Sequence, residues 1–275
     1  MIKIENISYK YAGAKENVFS NLNLSFGENK IYGLLGKNGT GKSTLLYLIS
    51  GLLRRDGGAI SIDGTDMFKD RDKMLSEIFI VPEEFELMPV TLDAYVRMNS
   101  RFYPSFSKET LEKCLADFEL TYDIDLRHLS MGQKKKVYMS FALATNTRLL
   151  LMDEPTNGLD IPSKSQFRKV MAANMSEDRT VIISTHQVHD VESLLDHVVI
   201  IDGSEVLLDA ATDEICADYM FSLESPSESG EGVLYAEPSL QGNNVIRRRA
   251  NGDEETPLNL ELLFNAVTKR EIKMK

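Results

Sequence analysis

Gly36-Lys37-Asn38-Gly39-Thr40-Gly41-Lys42-Ser43 fits the pattern G-x-x-x-x-G-K-[ST], and the rest of the architecture can be argued from it. An apolar, strand-like run at residues 30–35 precedes it, and a helix-like run at residues 44–50 follows it and ends at Gly51. The pattern has structural meaning in this order of strand, glycine-rich loop and helix. It therefore predicts an α/β fold in which a buried strand leads through a tight loop into a helix.

The chemistry of this loop is that of an anion site. Its glycines let backbone N–H groups point inward, and the positive end of the new helix faces the same space. The pattern predicts that Lys42 reaches the outer phosphates of a nucleotide and that the Ser43 hydroxyl binds Mg²⁺. The alternative is a glycine-rich turn without a ligand, and the match at every fixed position in this context favours phosphate binding.

Composition restricts the class of protein. The 275 residues suffice for one large domain, or for one domain with an appendage. The net charge of −11 argues against broad binding of nucleic acid, which needs a basic surface. Cys114 and Cys216 have no C-x-x-C partner, so we interpret them as reduced thiols of a cytosolic protein. No window approaches the length of an apolar membrane span, and the N-terminus lacks a signal-peptide pattern.

The remaining pattern predicts a parallel sheet with added parts. Apolar runs at residues 148–153, 180–184 and 198–203 alternate with helical segments, which is typical of parallel strands buried on both faces. Short alternating strands are predicted in residues 1–35. Two helices separated by Pro104 are predicted in residues 91–120, the second capped by Ser107.

The C-terminal quarter predicts a separate small unit. Ser222–Gly232 is rich in Ser, Glu, Gly and Pro, which is typical of a linker. Residues 233–249 predict a hairpin with its turn near Gly242, and residues 259–267 predict an amphipathic helix. We expect Arg247-Arg248-Arg249 to lie on a solvated strand.

An acidic pair follows one of the apolar runs. Asp153 ends a buried strand, at the sheet edge where open α/β folds bind ligands, and an acid there can hold Mg²⁺. Glu154 would point toward the terminal phosphate, where a carboxylate can polarise the attacking water. The alternative is a solvated corner between strand and loop. The apolar residues before the pair and the segment Pro155–Asp160 after it favour the catalytic interpretation.

The order of the motifs gives the chain a resemblance to a known family. Leu129-Ser130-Met131-Gly132-Gln133, Asp153-Glu154-Pro155-Thr156-Asn157-Gly158-Leu159-Asp160 and Ser184-Thr185-His186 follow the loop in this order. Together they resemble the nucleotide-binding subunit of ABC transporters over about residues 1–210. The resemblance implies an α/β P-loop NTPase core with a mostly parallel sheet, an N-terminal antiparallel β subdomain and a helical insert at about residues 85–145. Residues 211–275 would form a small α+β C-terminal extension.

The resemblance also implies roles for individual residues. Glu154 would be the general base, His186 the switch histidine at the γ-phosphate, and Lys42 the third catalytic residue. Tyr11 looks like the aromatic residue that stacks on adenine, and its alternative is an ordinary edge-strand tyrosine. The expected ATP contacts are Tyr11, Gly36, Asn38, Gly39, Thr40, Gly41, Lys42, Ser43, Thr44, Ser130, Gly132 and Gln133. The expected Mg²⁺ ligands are Ser43, Asp153 and Glu83.

The expected contacts at Ser130–Gln133 would reach ATP held by a second copy of the chain. This segment begins a helical run, and a helix N-terminus with a hydroxyl and free N–H groups is an anion site. We expect Lys134-Lys135-Lys136, which follows, to be a solvated helix face.

Two residues depart from the pattern of the family. Glu83 stands where the family usually has a glutamine near Mg²⁺ and the attacking water, and Met131 replaces a glycine in the closing segment. Glutamate can still bind Mg²⁺, but it cannot donate an amide hydrogen bond, and it adds negative charge near the triphosphate. These departures concern the rate of turnover more than the identity of the chain.

The resemblance implies an ATP-hydrolysing subunit that forms a head-to-tail dimer around two ATP molecules. It would power a separate transmembrane permease from the cytosolic face, through a groove near residues 85–92. The acidic net charge leads us to expect no nucleic acid as partner. The C-terminal extension favours an exporter over an importer. The main alternative is a soluble ATPase of the same family without a transport partner. A non-hydrolysing regulatory subunit is disfavoured because Lys42, Asp153, Glu154 and His186 are all present.

Overall fold

The computed structural model describes residues 1–176, 178–225, 232–250 and 252–272. The strands are β1 (Ile2–Tyr9), β2 (Phe19–Phe26), β3 (Ile31–Leu35), β4 (Gly57–Ile62), β5 (Thr65–Asp66), β6 (Ile78–Val81), β7 (Leu149–Asp153), β8 (Thr180–Thr185), β9 (His197–Asp202), β10 (Glu205–Ala211), β11 (Tyr219–Glu224), β12 (Val233–Ser239) and β13 (Gly242–Arg248). The α-helices are α1 (Lys42–Ile49), α2 (Arg71–Ser76), α3 (Leu92–Asn99), α4 (Lys108–Asp117), α5 (Met131–Ala144), α6 (Ile161–Ala173), α7 (Thr212–Asp218) and α8 (Leu260–Thr268). Short 3-10 helices lie at Ser100–Phe102, Leu126–His128, Val188–Asp190 and Glu192–Leu194.

The central sheet confirms the predicted α/β class. Its strand order is β10-β9-β3-β8-β7-β6. The five strands from β9 to β6 are parallel, and β10 adds an antiparallel edge. Every residue of β3, β7 and β8 is buried, as the continuous apolar runs of the sequence predict for strands covered on both faces. The carboxyl ends of β3, β6, β7 and β8 therefore meet at one edge of the sheet.

An antiparallel β subdomain covers one side of this sheet, as expected. Its strand order is β2-β1-β4-β5. Buried residues alternate with exposed ones along β1 and β2 apart from a register shift between Ile4 and Ile7, and the buried set, which includes Ile4, Ile7, Leu22 and Phe26, shares a core with α1. The alternation seen in the sequence therefore corresponds to one buried and one solvated face.

The helical insert contains α3, α4 and α5. The Ser107 hydroxyl accepts a hydrogen bond of 3.1 Å from the Thr110 N–H, which confirms the predicted N-cap of α4. Leu111, Cys114 and Leu115 form the buried stripe of this helix. Burial raises the pKa of the Cys114 thiol to about 12, so this cysteine belongs to the core.

The C-terminal extension forms a sheet of order β11-β13-β12 with α8 packed beside it. The predicted hairpin is β12 and β13, and the predicted final helix is α8, which Asn259 caps. The linker prediction is wrong at Ser222–Glu224, which ends β11 and pairs with β13. Residues 226–231 of that prediction lie outside the described residues.

The prediction of a solvated arginine strand is also wrong in part. The Arg247 side chain is only 18% exposed and forms an ion pair of 2.7 Å with Glu224. The Arg249 Nη1 group donates a hydrogen bond of 3.3 Å to the carbonyl of Cys216. Pairing of β13 with β11 brings Glu224 to Arg247, and the local charge pattern does not contain that information. Within the described ranges, no helix has both the length and the apolar character needed to cross a membrane.

Candidate functional site

The glycine-rich loop lies between β3 and α1, and two of its glycines are required by close packing. Gly41 has a φ of +99°, and a Cβ atom there would lie 2.6 Å from the ring of Phe19. A Cβ atom at Gly36 would lie 2.7 Å from the carbonyl oxygen of Ile201. The loop therefore follows a path that larger residues cannot adopt, and it leads directly into the N-terminus of α1.

Lys42 is held inside this loop. It is 7% exposed, and its Nζ donates to the carbonyls of Gly36 at 2.8 Å and Lys37 at 3.2 Å. Burial lowers the pKa of the Lys42 ammonium, and the carboxylates of Glu154 and Asp153 oppose that change. Because the hydrogen-bonded partners are neutral carbonyls, the positive charge is available to phosphate oxygens.

Asp153 and Ser43 are brought together as the sequence predicts. Asp153 ends β7 and is 1% exposed, and its Oδ1 accepts a hydrogen bond of 3.0 Å from Ser43 Oγ. The Ser184 hydroxyl donates to the same oxygen. Tyr47, for which the sequence pattern gives no functional signal, lies one turn beyond Ser43 on α1. Burial and the Asp153 carboxylate raise the pKa of Tyr47 to about 12, which keeps the phenol neutral beside Asp153.

Glu154 and His186 form the second predicted group. Glu154 is 6% exposed and has a φ of +46°, in the left-handed region that non-glycine residues rarely adopt. Its Oε2 accepts a hydrogen bond of 3.0 Å from Thr185 Oγ1, and its Oε1 lies 2.7 Å from His186 Nδ1. The end of β8 thus fixes the carboxylate of the residue that follows β7.

Glu83 follows β6 and lies at the same edge. Its Oε1 accepts a hydrogen bond of 2.8 Å from the Nδ2 amide of Asn157, a residue of the turn after β7. Tyr11 lies on the other side of the loop, where its hydroxyl is 3.0 Å from Thr44 Oγ1 and its ring packs edge-on against Tyr9 at 5.0 Å. Tyr11 is 42% exposed, so a face of the ring remains open to a ligand.

A cavity of about 440 Å³ connects these groups. The predicted site residues that line it are Tyr11, Asn38, Gly39, Gly41, Lys42, Ser43, Thr44, Glu83, Glu154 and His186. Gly36 and Thr40 belong to the loop but do not line the cavity. The Thr40 hydroxyl donates a hydrogen bond of 2.9 Å to the Lys37 carbonyl. Asp153 does not line the cavity either, but it is hydrogen-bonded to Ser43, which does. The volume is of the size that small-molecule sites have.

Ser130, Gly132 and Gln133 do not line this cavity. They begin α5, where Ser130 and Gln133 form reciprocal caps: Ser130 Oγ accepts from Gln133 N at 3.3 Å, and Gln133 Oε1 accepts from Ser130 N at 3.0 Å. Gly132 lines a different cavity, of about 530 Å³, beside the segment that follows Glu83. Met131 is 65% exposed and lines the same cavity as Gly132.

The structure contradicts the expectation for Lys135. This residue is 4% exposed, and its Nζ donates to the carbonyls of Glu154 at 2.9 Å and Asn157 at 2.8 Å. Burial lowers the pKa of its ammonium, and the Glu83, Glu154 and Asp153 carboxylates oppose that change. The run of three lysines masks the burial of Lys135 in the sequence. Lys135 lies one helical turn before the buried Met139, and this spacing is the signal from which its burial could be predicted.

Known proteins are similar in sequence to this chain over the region that contains the phosphate loop and the acidic pair. Residues 19–157 match the family model described as ABC transporter. The lantibiotic transport ATP-binding protein SrtF of Streptococcus pyogenes is 30% identical over 217 residues, which are 78% of this chain and 92% of that protein. The zinc uptake system ATP-binding protein ZurA of Listeria monocytogenes is 30% identical over 78% of this chain and 87% of that protein.

A solved structure agrees with the family match. The chain resembles the dimeric, post-hydrolysis structure of the ATP-binding cassette MJ0796 bound to ADP and Pi, with a TM-score of 0.66 and 26% identity. The similarity covers 77% of this chain and 98% of that one. The phosphate loop, the acidic pair after β7 and the histidine after β8 are arranged around one cavity within the matched fold. The chain belongs to the ABC transporter family, in which it is an ATP-binding cassette that binds and hydrolyses ATP.

Proposed function

We propose that Glu154 activates the water that attacks ATP, and that the chain uses this reaction to drive a separate permease, as part of an exporter. The observation that carries the catalytic role is the position of the Glu154 carboxylate. It is held by Thr185 and His186 in the cavity that the phosphate loop lines. A fixed carboxylate near the terminal phosphate can accept the proton of the attacking water.

The other residues bind and orient the triphosphate. Lys42 and the N–H groups at the start of α1 bind the outer phosphates, and His186 orients Glu154 and contacts the γ-phosphate. The open face of Tyr11 stacks on the adenine ring. Asn38, Gly39, Thr40 and Thr44 complete the loop around the phosphate chain.

The donor set of the site fits Mg²⁺. A buried carboxylate, Asp153, lies beside the Ser43 hydroxyl, and the Glu83 carboxylate lines the same cavity. In the part of the chain that the structure describes, no cluster of His, Cys, Asp and Glu forms a complete metal cage. Mg²⁺ does not need one, because it binds through one or two protein ligands and completes its shell with phosphates and water. When bound, Mg²⁺ neutralises charge on the triphosphate.

A second copy of the chain supplies the residues that the cavity lacks. Ser130, Gly132 and Gln133 do not line the cavity of their own chain, and they form the N-terminus of α5, the end of a helix that favours anions. In a head-to-tail dimer they would close over ATP held by the other copy. The dimeric state of the related cassette supports this arrangement.

The partner of this dimer is a transmembrane permease on another chain, and the cassette lies against it at the inner face of the cell membrane. A cavity of about 570 Å³ lies between the core and the helical insert. Exposed apolar side chains line it, among them Leu52 and Phe102 at 62% and 63% exposure. Phe85, which begins the expected docking segment, stacks at 4.5 Å on Tyr138, a lining residue of this cavity. We propose that a cytosolic segment of the permease docks there.

The direction of transport is proposed from the extension after residue 210. The similar proteins include one named for lantibiotic transport and one named for zinc uptake, so their names do not decide the direction. The folded C-terminal extension, with its sheet and α8, is of the kind that the resemblance links to exporters. We therefore propose that the substrate is exported.

The test is to purify a tagged Glu154→Gln chain from native membranes solubilised with Mg²⁺-ATP, and to identify its companions by mass spectrometry. Lys42→Ala, which should not hold ATP, is the matched control. Recovery of a polytopic membrane protein in stoichiometric amount with Glu154→Gln supports the transporter assignment. Its loss with Lys42→Ala would show that the association requires bound ATP, and its retention that the association does not. Recovery of a soluble homodimer alone would favour the alternative, an ATPase without a permease.

A further inference from the structure

Lys135 is a buried ammonium that no step proposed above uses. It lies in the second turn of α5, the helix whose first residues form the closing segment. Its hydrogen-bond partners are the backbone carbonyls of Glu154 and Asn157. Burying a charged amine is costly, and an apolar side chain of the same length would fill this space without that cost.

The two carbonyls belong to the turn that carries the catalytic carboxylate. The Asn157 N–H donates a hydrogen bond of 3.1 Å to the Glu154 carbonyl, so this oxygen accepts from both Asn157 and Lys135. Glu154 itself has a φ of +46°, which persists only where the surroundings hold it. Lys135 is one of the groups that hold it.

The same contacts join three segments of the site. Asn157 accepts from Lys135 through its carbonyl and donates to Glu83 through its side-chain amide at 2.8 Å. The bonds therefore run from α5, through the turn after β7, to the segment after β6. The positive charge of Lys135 also lies in a region where Asp153, Glu154 and Glu83 gather negative charge, so it offsets part of that charge.

We propose that Lys135 is a positioning residue for ATP hydrolysis: it fixes the turn that carries Glu154 and ties this turn to the helix that begins with the closing segment. A change in the position of α5 when two copies meet is then transmitted to the general base through one side chain. This inference rests on the proposed role of Glu154. It assigns no contact between Lys135 and the nucleotide.

The test compares the purified full chain with Lys135→Met, Lys135→Arg and the matched control Lys136→Met. Lys136 is the neighbouring lysine, and its Nζ bonds to Gln166 Oε1 at 2.9 Å, outside the site. Four quantities are measured for each: kcat and KM for Mg²⁺-ATP, the Kd for ATP by equilibrium titration, and the melting temperature. We expect Lys135→Met to lower kcat about 10- to 100-fold through misplacement of the base, with KM and Kd changed less than about threefold.

We also expect Lys135→Arg, which keeps the charge and the donors, to recover part of the lost kcat, and Lys136→Met to behave as the parent. An unchanged kcat in Lys135→Met overturns the proposal. So does a parallel loss of kcat, ATP affinity and melting temperature that Lys135→Arg fails to relieve, because that pattern describes a residue needed only for folding. If Lys135→Met does not fold, Lys135→Gln is measured against the same criteria.

Two variants together distinguish a failure of this inference from a failure of the proposed function. Normal hydrolysis by Glu154→Gln would remove the assignment of the general base, and with it the basis of this inference. An inactive Glu154→Gln together with a fully active Lys135→Met would leave the general base in place and overturn only the role of Lys135.

Discussion

The side-chain amide of Asn157 donates a hydrogen bond of 2.8 Å to Oε1 of Glu83, although the two residues are 74 positions apart in the sequence. The bond holds the Glu83 carboxylate at the edge of the cavity that Lys42 and Glu154 line. One of the two residues that depart from the family pattern therefore lies at the edge of this cavity, where we propose that its negative charge acts on a bound triphosphate.

Replacing Glu83 by glutamine should strengthen ATP binding or change its dependence on Mg²⁺. The substitution keeps an oxygen that can accept from Asn157 and removes one negative charge. At a solvent-exposed position this charge is worth about 1 kcal/mol, or roughly a fivefold change in Kd. Titration of ATP at several Mg²⁺ concentrations measures the effect, with Glu84→Gln as control. Identical titrations for Glu83→Gln and the parent would show that Glu83 does not act on the nucleotide.

Removing the Lys42 ammonium should abolish or greatly weaken nucleotide binding. The side chain supplies charge-assisted hydrogen bonds to phosphate, each worth about 1.5–3 kcal/mol, so Lys42→Ala should raise the Kd for ATP about 10- to 100-fold or more. Lys37→Ala in the same loop is the control, because the Lys37 side chain is exposed. Fluorescence titration with an ATP analogue provides the measurement. Parent-like affinity in Lys42→Ala would contradict the assignment of the phosphate site.

Replacing Glu154 by glutamine should separate binding from chemistry. The amide keeps the shape of the carboxylate but cannot accept the proton of the attacking water. We expect turnover to fall on the order of 10²–10⁴-fold while ATP remains bound. Phosphate release and size-exclusion chromatography with ATP test both parts, because the variant should accumulate as an ATP-bound dimer. Ordinary turnover by this variant would rule out Glu154 as the general base.

Truncation of a core residue in α8 tests whether the extension is integral to the fold. Leu263 is fully buried among residues of the main core, so Leu263→Ala should lower the free energy of unfolding by about 2–5 kcal/mol. Lys269→Ala, which removes an exposed ion pair with Glu237 and a hydrogen bond to the Tyr235 hydroxyl, should cost much less. Urea unfolding followed by circular dichroism compares the two. Equal costs would indicate that α8 contributes little packing.

The predictions that the structure confirms come from patterns contained in short segments. The glycine pattern at residues 36–43 is contained in one short segment, and the buried strands show as continuous apolar runs. These segments locate the carboxyl edge of the sheet, and the meeting of Ser43 with Asp153 follows from that geometry. The catalytic, nucleotide-binding and metal-binding roles of the site residues, from Tyr11 and Lys42 to Glu83, Glu154 and the Ser130 segment, stay predictions.

The errors occur where a contact between distant segments decides the environment. Lys135 looks solvated within its charge run, and its burial depends on the turn after β7. Ser222 looks like part of a linker because its composition is polar, but the pairing of β11 with β13 places it in a sheet. Arg247 is paired for the same reason, since Glu224 reaches it only across that sheet. Local composition does not specify such partners.

The reciprocal caps at Ser130 and Gln133 have a consequence for the thermodynamics of assembly. A hydroxyl can accept and donate at once, and the Ser130 oxygen uses only its acceptor capacity in the bond from Gln133 N. The Gln133 amide likewise uses its oxygen in the cap, and its NH₂ group keeps its donor capacity. Both side chains are therefore immobilised before a second copy arrives, with their donors still available to a phosphate. These two side chains lose conformational entropy when the chain folds, so they do not lose it again when two copies associate.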